Sequence, residues 1–197
     1  TTGPEGSLEP LVQKIDGLFH RVPNLIRPVR PLSDWLAYRQ LKRAFASFRP
    51  DIVHTHSGKA GFIWRLAAKR AGVPKIIHSF HGPSFGPFQG WATNALFRGA
   101  ERFAGRMTDH FVTVADAMRD QDLAAGISQA NDYTRIPSGF DLQPFLDAEN
   151  SPPNRASLGL SPGDFVVGKI ARLLELKGHD DLFAIATRLA KRIPNIR

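Results

Sequence analysis

Arg49-Pro-Asp-Ile-Val-His-Thr-His56, running straight into Ser57-Gly58-Lys59, decides the fold. Pro50 has no N–H to give and stops the helical pattern before it. Asp51 to His56 reads as a short buried strand. Ser57-Gly58 makes a tight turn, and Ile63, Leu66, Ala67 and Ala71 then recur near the helical period as an inward face. A strand that becomes a helix within two residues is one unit of an alternating β/α chain. The same grammar continues on either side. Upstream, Leu36, Leu41, Phe45 and Phe48 mark a helix that Ser33 or Asp34 can cap; Thr1 to Pro10 reads as a loop. Downstream, Gly72 and Pro74 are stop signals, and Lys75 to Phe80 is a second strand.

The stretch His81-Gly-Pro-Ser-Phe-Gly-Pro87 holds too much Gly and Pro to be anything but a loop. A helix from Trp91 to Met107, a strand from His110 to Val114 and a helix from Ala115 to Ala125 follow, the last closed by Gly126. Tyr133 to Ile136 is a short strand, Pro137 to Asp141 a turn, and Asn150 to Pro153 a Pro-rich linker. Beyond it, Asp164 to Ala171 reads as a strand. Lys177-Gly178 opens a helix with Leu182, Ile185, Ala186 and Leu189 inward. This alternation predicts an α/β fold with a mostly parallel sheet.

The 197 residues allow one large domain, or one and part of another. No apolar run reaches membrane-spanning length. With no Cys, a disulfide framework, Cys-bound zinc and a thiol nucleophile are excluded. The net charge of +8 is unevenly placed. Arg21 to Lys75 carries twelve Lys and Arg against Asp34 and Asp51, while Asp109 to Asn150 carries two Arg against eight acids. The basic segment reads either as solvated helix faces or as a surface that meets phosphate or an anionic membrane. Its aromatics fall at core spacing rather than among the basic residues, so nucleic acid is not expected as a partner.

In parallel sheets ligands bind beyond the carboxyl ends of the strands. That rule selects the loops at His54 to Lys59, His81 to Pro87, Ala115 to Asp116, Pro137 to Asp141 and Arg172 to Gly178. In the last, Lys177 stands at a helix start, where backbone N–H groups favour an anion, and Arg172 adds a planar fork of donors suited to phosphate. On spacing alone an ordinary surface loop is the simpler reading. Walker and Rossmann glycine patterns are absent. His81 at a strand end suits either a substrate contact or a structural role. His54 and His56 share a strand face but lack an evident third ligand, so no metal is expected. Asp120-Gln121-Asp122 has an Asp-x-Asp pattern inside an amphipathic helix and reads as two solvated carboxylates.

Four ordered stretches carry a resemblance: Arg49 to His56, Lys75-Ile-Ile-His-Ser-Phe-His-Gly82, Thr134-Arg-Ile-Pro-Ser-Gly-Phe-Asp141, and Val166-Val-Gly-Lys-Ile-Ala-Arg-Leu173 with Lys177-Gly178. Together they resemble glycosyltransferase family 4, retaining enzymes of the GT-B fold. The resemblance implies two Rossmann-like domains: an acceptor-side one over 1–149, incomplete at its N-terminus, and the first strand and helix of a donor-binding one over 150–197. It implies that Arg172 and Lys177, with Gly178, hold the donor diphosphate, and that Ser138 and Gly139 lie in a donor-side turn. Gly58, Lys59, Gly61, His81 and Gly82 fall on the acceptor side, with His81, Arg172 and Lys177 as the catalytic set. Ser138 stands where the family usually has Asn, and Ala171 where it has Gly.

The expected reaction is transfer of a sugar from a nucleotide-diphosphate sugar to a glycan or polyprenyl-linked acceptor, without cofactor or metal. The expected setting is cytoplasmic, with peripheral contact on the inner face of the membrane. The chain is expected to be a piece of a longer protein and inactive alone. A nucleotide-sugar 2-epimerase on the same scaffold, or a non-catalytic basic module that binds nucleic acid or membrane, are the alternatives.

Overall fold

Strands β1 (Ile52–His56), β2 (Lys75–Phe80), β3 (His110–Thr113) and β4 (Tyr133–Arg135) pair side by side in chain order, all parallel. The computed structural model describes residue 14 and residues 19–147, 152–174 and 177–197. The opening segment 1–10 and residues 150–151 of the expected linker lie outside them. Helices α1 (Pro31–Phe48), α2 (Gly58–Arg70), α3 (Trp91–Gly105) and α4 (Asp116–Ala124) precede or connect the strands. The chain divides into two compact units, 1–138 and 139–197.

In the first unit each boundary has a local cause. Helix α1 starts earlier than Ser33 or Asp34 would place it. Pro31 takes the first helical position, where its missing N–H costs nothing. Asp34, inside the first turn, accepts the Arg30 backbone N–H at 3.1 Å. Arg49 closes the helix in the left-handed region, its N–H bonded to the Phe45 carbonyl. Gly72 and Gly126, both at positive φ, close α2 and α4 as their positions in the sequence predict.

One face of the sheet carries Val53, Ile76, Phe80 and Phe111. It packs on Ala37, Leu41 and Phe45 of α1, on Ile63, Ala67 and Ala68 of α2, and on Ala125 and Ile127 after α4. Phe80, Phe111 and Tyr133 stack across β2, β3 and β4 with ring centres 5.9 and 4.9 Å apart. Leu36 and Phe48 are exposed, so the inward face of α1 is narrower than its apolar pattern suggests.

Two charges contradict the expectation of solvated faces. Arg65, in the basic segment, is fully buried on α2 and meets Glu101 of α3 at 2.6 Å, while its Nε donates to the Gly61 carbonyl. Asp122 of the Asp-x-Asp pair is 5% exposed. Its helix turns that position onto the sheet, where burial and the nearby Glu101 carboxylate push its pKa up to about 7, against the pull of Arg65.

The second unit holds α5 (Gln143–Leu146), α6 (Pro152–Ser157) and α7 (His179–Ala190). Pro152 begins a helix rather than continuing a linker. The expected strand at Asp164 to Ala171 is not formed as one. Its ladder is a single bridge, Phe165 with Ile196, flanked by bonds to the backbone of Asn195 and Arg197. A strand is defined by its partner, and residues past Val167 find none among the described residues. The inward face expected for α7 is likewise open: Ile185 is exposed, and Leu182 and Leu189 are half-buried.

Candidate functional site

The carboxyl ends of β1 and β2 gather the acceptor-side candidates. In the parallel register His54 lies beside Ile77 and His56 beside Ser79. Side chains two residues along the neighbouring strand then share the same face. His54 Nε2 accordingly meets Ser79 Oγ at 2.7 Å, and His56 Nδ1 meets His81 Nε2 at 2.8 Å. His110 and Thr134 repeat the same diagonal on β3 and β4, at 2.8 Å. The ring centres of His54 and His56 are 4.4 Å apart. Partial loss of water lowers the pKa of both; His81 adds to the effect on His54, and His54 and then His81 add to it on His56.

Backbone geometry fixes this corner. Ser57, between β1 and α2, has φ 68° and ψ 153°, a region that only Gly enters without strain. Gly61 is required by packing: a Cβ there would lie 2.4 Å from Cε1 of His78, which is buried beneath it and bonded through Nδ1 to Thr55 Oγ1 at 2.7 Å. A Cβ on Gly58 would come within 2.9 Å of Ser84 Oγ, so the 81–87 loop rests on the start of α2. Gly82 has open space around it. Lys59 turns away from this end. Its ammonium donates to the carbonyls of Ile26 and Pro28 at 2.7 and 2.5 Å and pairs with Asp34, clipping the segment before α1 to α2.

A cavity of about 940 Å³ opens elsewhere in this unit, lined by Leu36, Arg39, Arg43, Phe48, Ile52 and His54 among others. It takes in neither His56 nor His81. No group of three or more His, Cys, Asp or Glu able to hold a metal occurs among the described residues.

In the second unit the backbone at Arg172, Lys177 and Gly178 is tied down by side chains. Lys169 Nζ donates to the carbonyls of Lys177 and Gly178, the latter at 3.0 Å. His179 Nε2 bonds the Arg172 carbonyl at 2.9 Å. Gly178 caps α7 in the left-handed conformation, φ 58°. The Arg172 and Lys177 side chains are exposed and have no side-chain partner among the described residues. Two exposed cations, unpartnered among the described residues, thus stand next to a helix N-terminus, where an anion is favoured. Ser138 ends the first unit and Gly139 begins the second. Both are exposed, and Asp141 beyond them accepts the Gln143 N–H at 3.1 Å, at the start of α5.

Reading the sequence missed His56, Lys169 and His179 as members of these arrangements. The His-x-His spacing signals a shared face, but the link from His56 to His81 needs the strand register. Nothing in the spacing of Lys169 points to two carbonyls eight and nine residues later.

The Glycosyltransferase Family 4 sequence profile matches residues 1–144. An Escherichia coli UDP-Gal:alpha-D-GlcNAc-diphosphoundecaprenol alpha-1,3-galactosyltransferase is 29% identical over 153 residues, 77% of this chain and 40% of that protein. An Acholeplasma laidlawii alpha-monoglucosyldiacylglycerol synthase is 24% identical over 90% of this chain and 48% of its own length. The chain thus spans about half the length of the curated relatives it matches. The crystal structure of Anabaena Alr3699/HepE in complex with UDP and glucose superposes with a TM-score of 0.72 at 22% identity, covering 98% of this chain and 50% of that one. That likeness places the parallel α/β sheet described above in a GT-B fold. From the profile match over most of its length, the chain belongs to glycosyltransferase family 4.

Proposed function

We propose that this chain provides the acceptor-side domain, and the opening of the donor-side domain, of a retaining glycosyltransferase that moves a sugar from a nucleotide-diphosphate sugar to a hydroxyl of a lipid-linked glycan. The observation that carries the reading is the backbone at Arg172, Lys177 and Gly178, held by Lys169 and His179, where both cations are exposed and without a side-chain partner among the described residues. A departing nucleoside diphosphate gains negative charge as the sugar–phosphate bond breaks. Cations held ready at that place stabilise the transition state with little reorganisation. Arg172 offers a bidentate fork and Lys177 a point charge. In this reading they do the neutralising work without a divalent cation. His81 orients the acceptor or the transferred sugar. Attack takes place on the face from which the diphosphate leaves, and the leaving phosphate oxygen accepts the acceptor hydroxyl's proton.

Two features support a lipid-linked acceptor. The E. coli relative is named for a diphosphoundecaprenol substrate. In this chain, α1 and the segment before it expose Val29, Leu32 and Trp35 beside Arg27, Arg30 and Arg39, with the Arg39 guanidinium 4.7 Å above the Trp35 ring. Exposed apolar side chains flanked by cations suit peripheral contact with an anionic bilayer. No helix among the described residues is long and apolar enough to cross a membrane.

The test is Arg172→Ala in the complete enzyme, assayed for nucleotide release and product with and without acceptor. Turnover should fall by at least about 100-fold, as for loss of a donor aimed at developing charge. Near-wild-type turnover would refute the assignment. A C2-epimerised nucleotide sugar formed without acceptor would favour the epimerase alternative.

A further inference from the structure

We infer that His56 is a positioning residue for His81: it holds the His81 ring by its Nε2 edge and leaves Nδ1 as the atom that meets the substrate. The inference deepens the transferase reading and rests on it for the role of His81. Three observations carry it. First, the 2.8 Å contact joins Nδ1 of His56 to Nε2 of His81, so only the opposite nitrogen of His81 stays free. The ring centres are 5.1 Å apart with planes tilted by 24°, which at this nitrogen–nitrogen distance means two imidazoles meeting edge to edge in nearly one plane. That is the geometry of an N–H···N bond, not of face stacking.

Second, His56 is itself held on both sides. The His54 ring lies against it, its centre 4.4 Å away, and is in turn fixed by Ser79 Oγ at 2.7 Å. The backbone immediately after His56 is locked at Ser57 in a conformation that ordinary residues avoid. Third, His81 has no other hydrogen-bond partner among the described residues. It is exposed, next to Gly82, on a Gly- and Pro-rich loop. Without His56 its ring would sample several rotamers.

An N–H···N bond needs one donor and one acceptor, so the two rings fix each other's tautomers. If His56 donates, His81 carries its proton on Nδ1 and can donate to a sugar oxygen. If His81 donates, its Nδ1 is a bare acceptor for a hydroxyl. Either way a single tautomer of His81 faces the substrate.

The experiment has a spectroscopic arm and a kinetic arm. Imidazole 15N chemical shifts of this chain at pH 8 should show His81 in one tautomer, with Nε2 hydrogen-bonded. His56→Ala should give the mixed tautomers of a free imidazole. His56→Asn, whose amide can reach the place of Nδ1, should restore the single form. In the complete enzyme, His56→Ala should lower kcat between about 10- and 100-fold, as for a mispositioned reacting group, with the donor KM nearly unchanged. Asn should recover most of the loss. In a His81→Ala background, His56→Ala should cost nothing further. An unchanged His81 tautomer in the Ala variant, or an equal cost with and without His81, would overturn the inference. If the wild-type enzyme transfers no sugar, the transferase reading fails and the substrate role of Nδ1 fails with it. The 15N shifts still decide whether His56 holds His81.

Discussion

Replacing Asp122 by Asn should expose an acid sensitivity that the wild-type protein conceals. Two buried groups beneath the sheet respond to pH in opposite directions. His78, fully buried, has its pKa pushed down to about 2 from 6.5, first by burial and then by Arg65. As pH falls through 6.5 the unfolded chain takes up this proton and the native chain does not. Stability is therefore lost on acidification, by about 2 kcal/mol between pH 7 and pH 5. Asp122 runs the other way. Its native pKa of about 7 lies above the unfolded 3.8, so the native chain binds the proton first. That adds stability as pH falls from 7 toward 4, again about 2 kcal/mol between pH 7 and pH 5. Together the two nearly cancel over this window. Asn at 122 cannot titrate, so the cost at His78 would no longer be offset. Urea unfolding followed by circular dichroism at pH 7, 6 and 5 measures the effect, read as the difference between variant and wild type so that His54 and His56 drop out. The wild-type advantage should grow by about 2 kcal/mol from pH 7 to pH 5. His78→Asn should show the reverse trend. A difference independent of pH would refute the reasoning.

Three other outcomes are expected. Ser57→Gly should raise stability by about 1 kcal/mol, because it releases a φ of 68° that Gly adopts freely, less the entropy Gly adds to the unfolded chain; Ser57→Ala should not, and a matching gain in Ala would locate the effect in the hydroxyl instead. Gly61→Ala should cost on the order of 2 kcal/mol in a thermal or urea melt, since its Cβ would lie 2.4 Å from the buried His78 ring; a neutral substitution would mean that α2 is free to move off the sheet. Lys169→Met should weaken donor binding without changing the fold, seen as a rise of roughly tenfold in donor KM, because the Lys177 and Gly178 carbonyls lose the ammonium that ties them down; an unchanged KM would remove Lys169 from the donor loop.

The β/α order of the first unit was legible because its boundaries are set by residues with strong local rules. Pro50, Gly72, Pro74 and Gly126 act through backbone sterics, and the structure ends its elements where they fall. What the sequence could not show depends on partners. Asp164 to Ala171 has a strand's composition, but a strand needs a ladder, and only a single bridge forms there. Arg65 and Asp122 have the composition of solvent-facing charges and are buried. Their fate depends on which helix face the sheet covers and on Glu101 arriving from another helix.

The candidate site shows the same division at finer scale. His81 is recognisable because it ends a strand and opens a loop, whereas the residue that holds it is not. His54 with Ser79, His56 with His81 and His110 with Thr134 all follow one diagonal across parallel neighbours. That offset is a property of strand pairing and twist, so it becomes visible only when the register is known. The sequence supplies His-x-His on one strand and a Ser-x-His on the next. Pairing His54 with Ile77 in parallel turns those two patterns into one file of side chains that ends at His81. A shift of one residue in that register would send Ser79 and His81 to the face opposite His54 and His56. The orientation of His81 is therefore set by the core that fixes the register, Val53 against Ile76 and Thr55 against His78, as much as by any residue of its own loop.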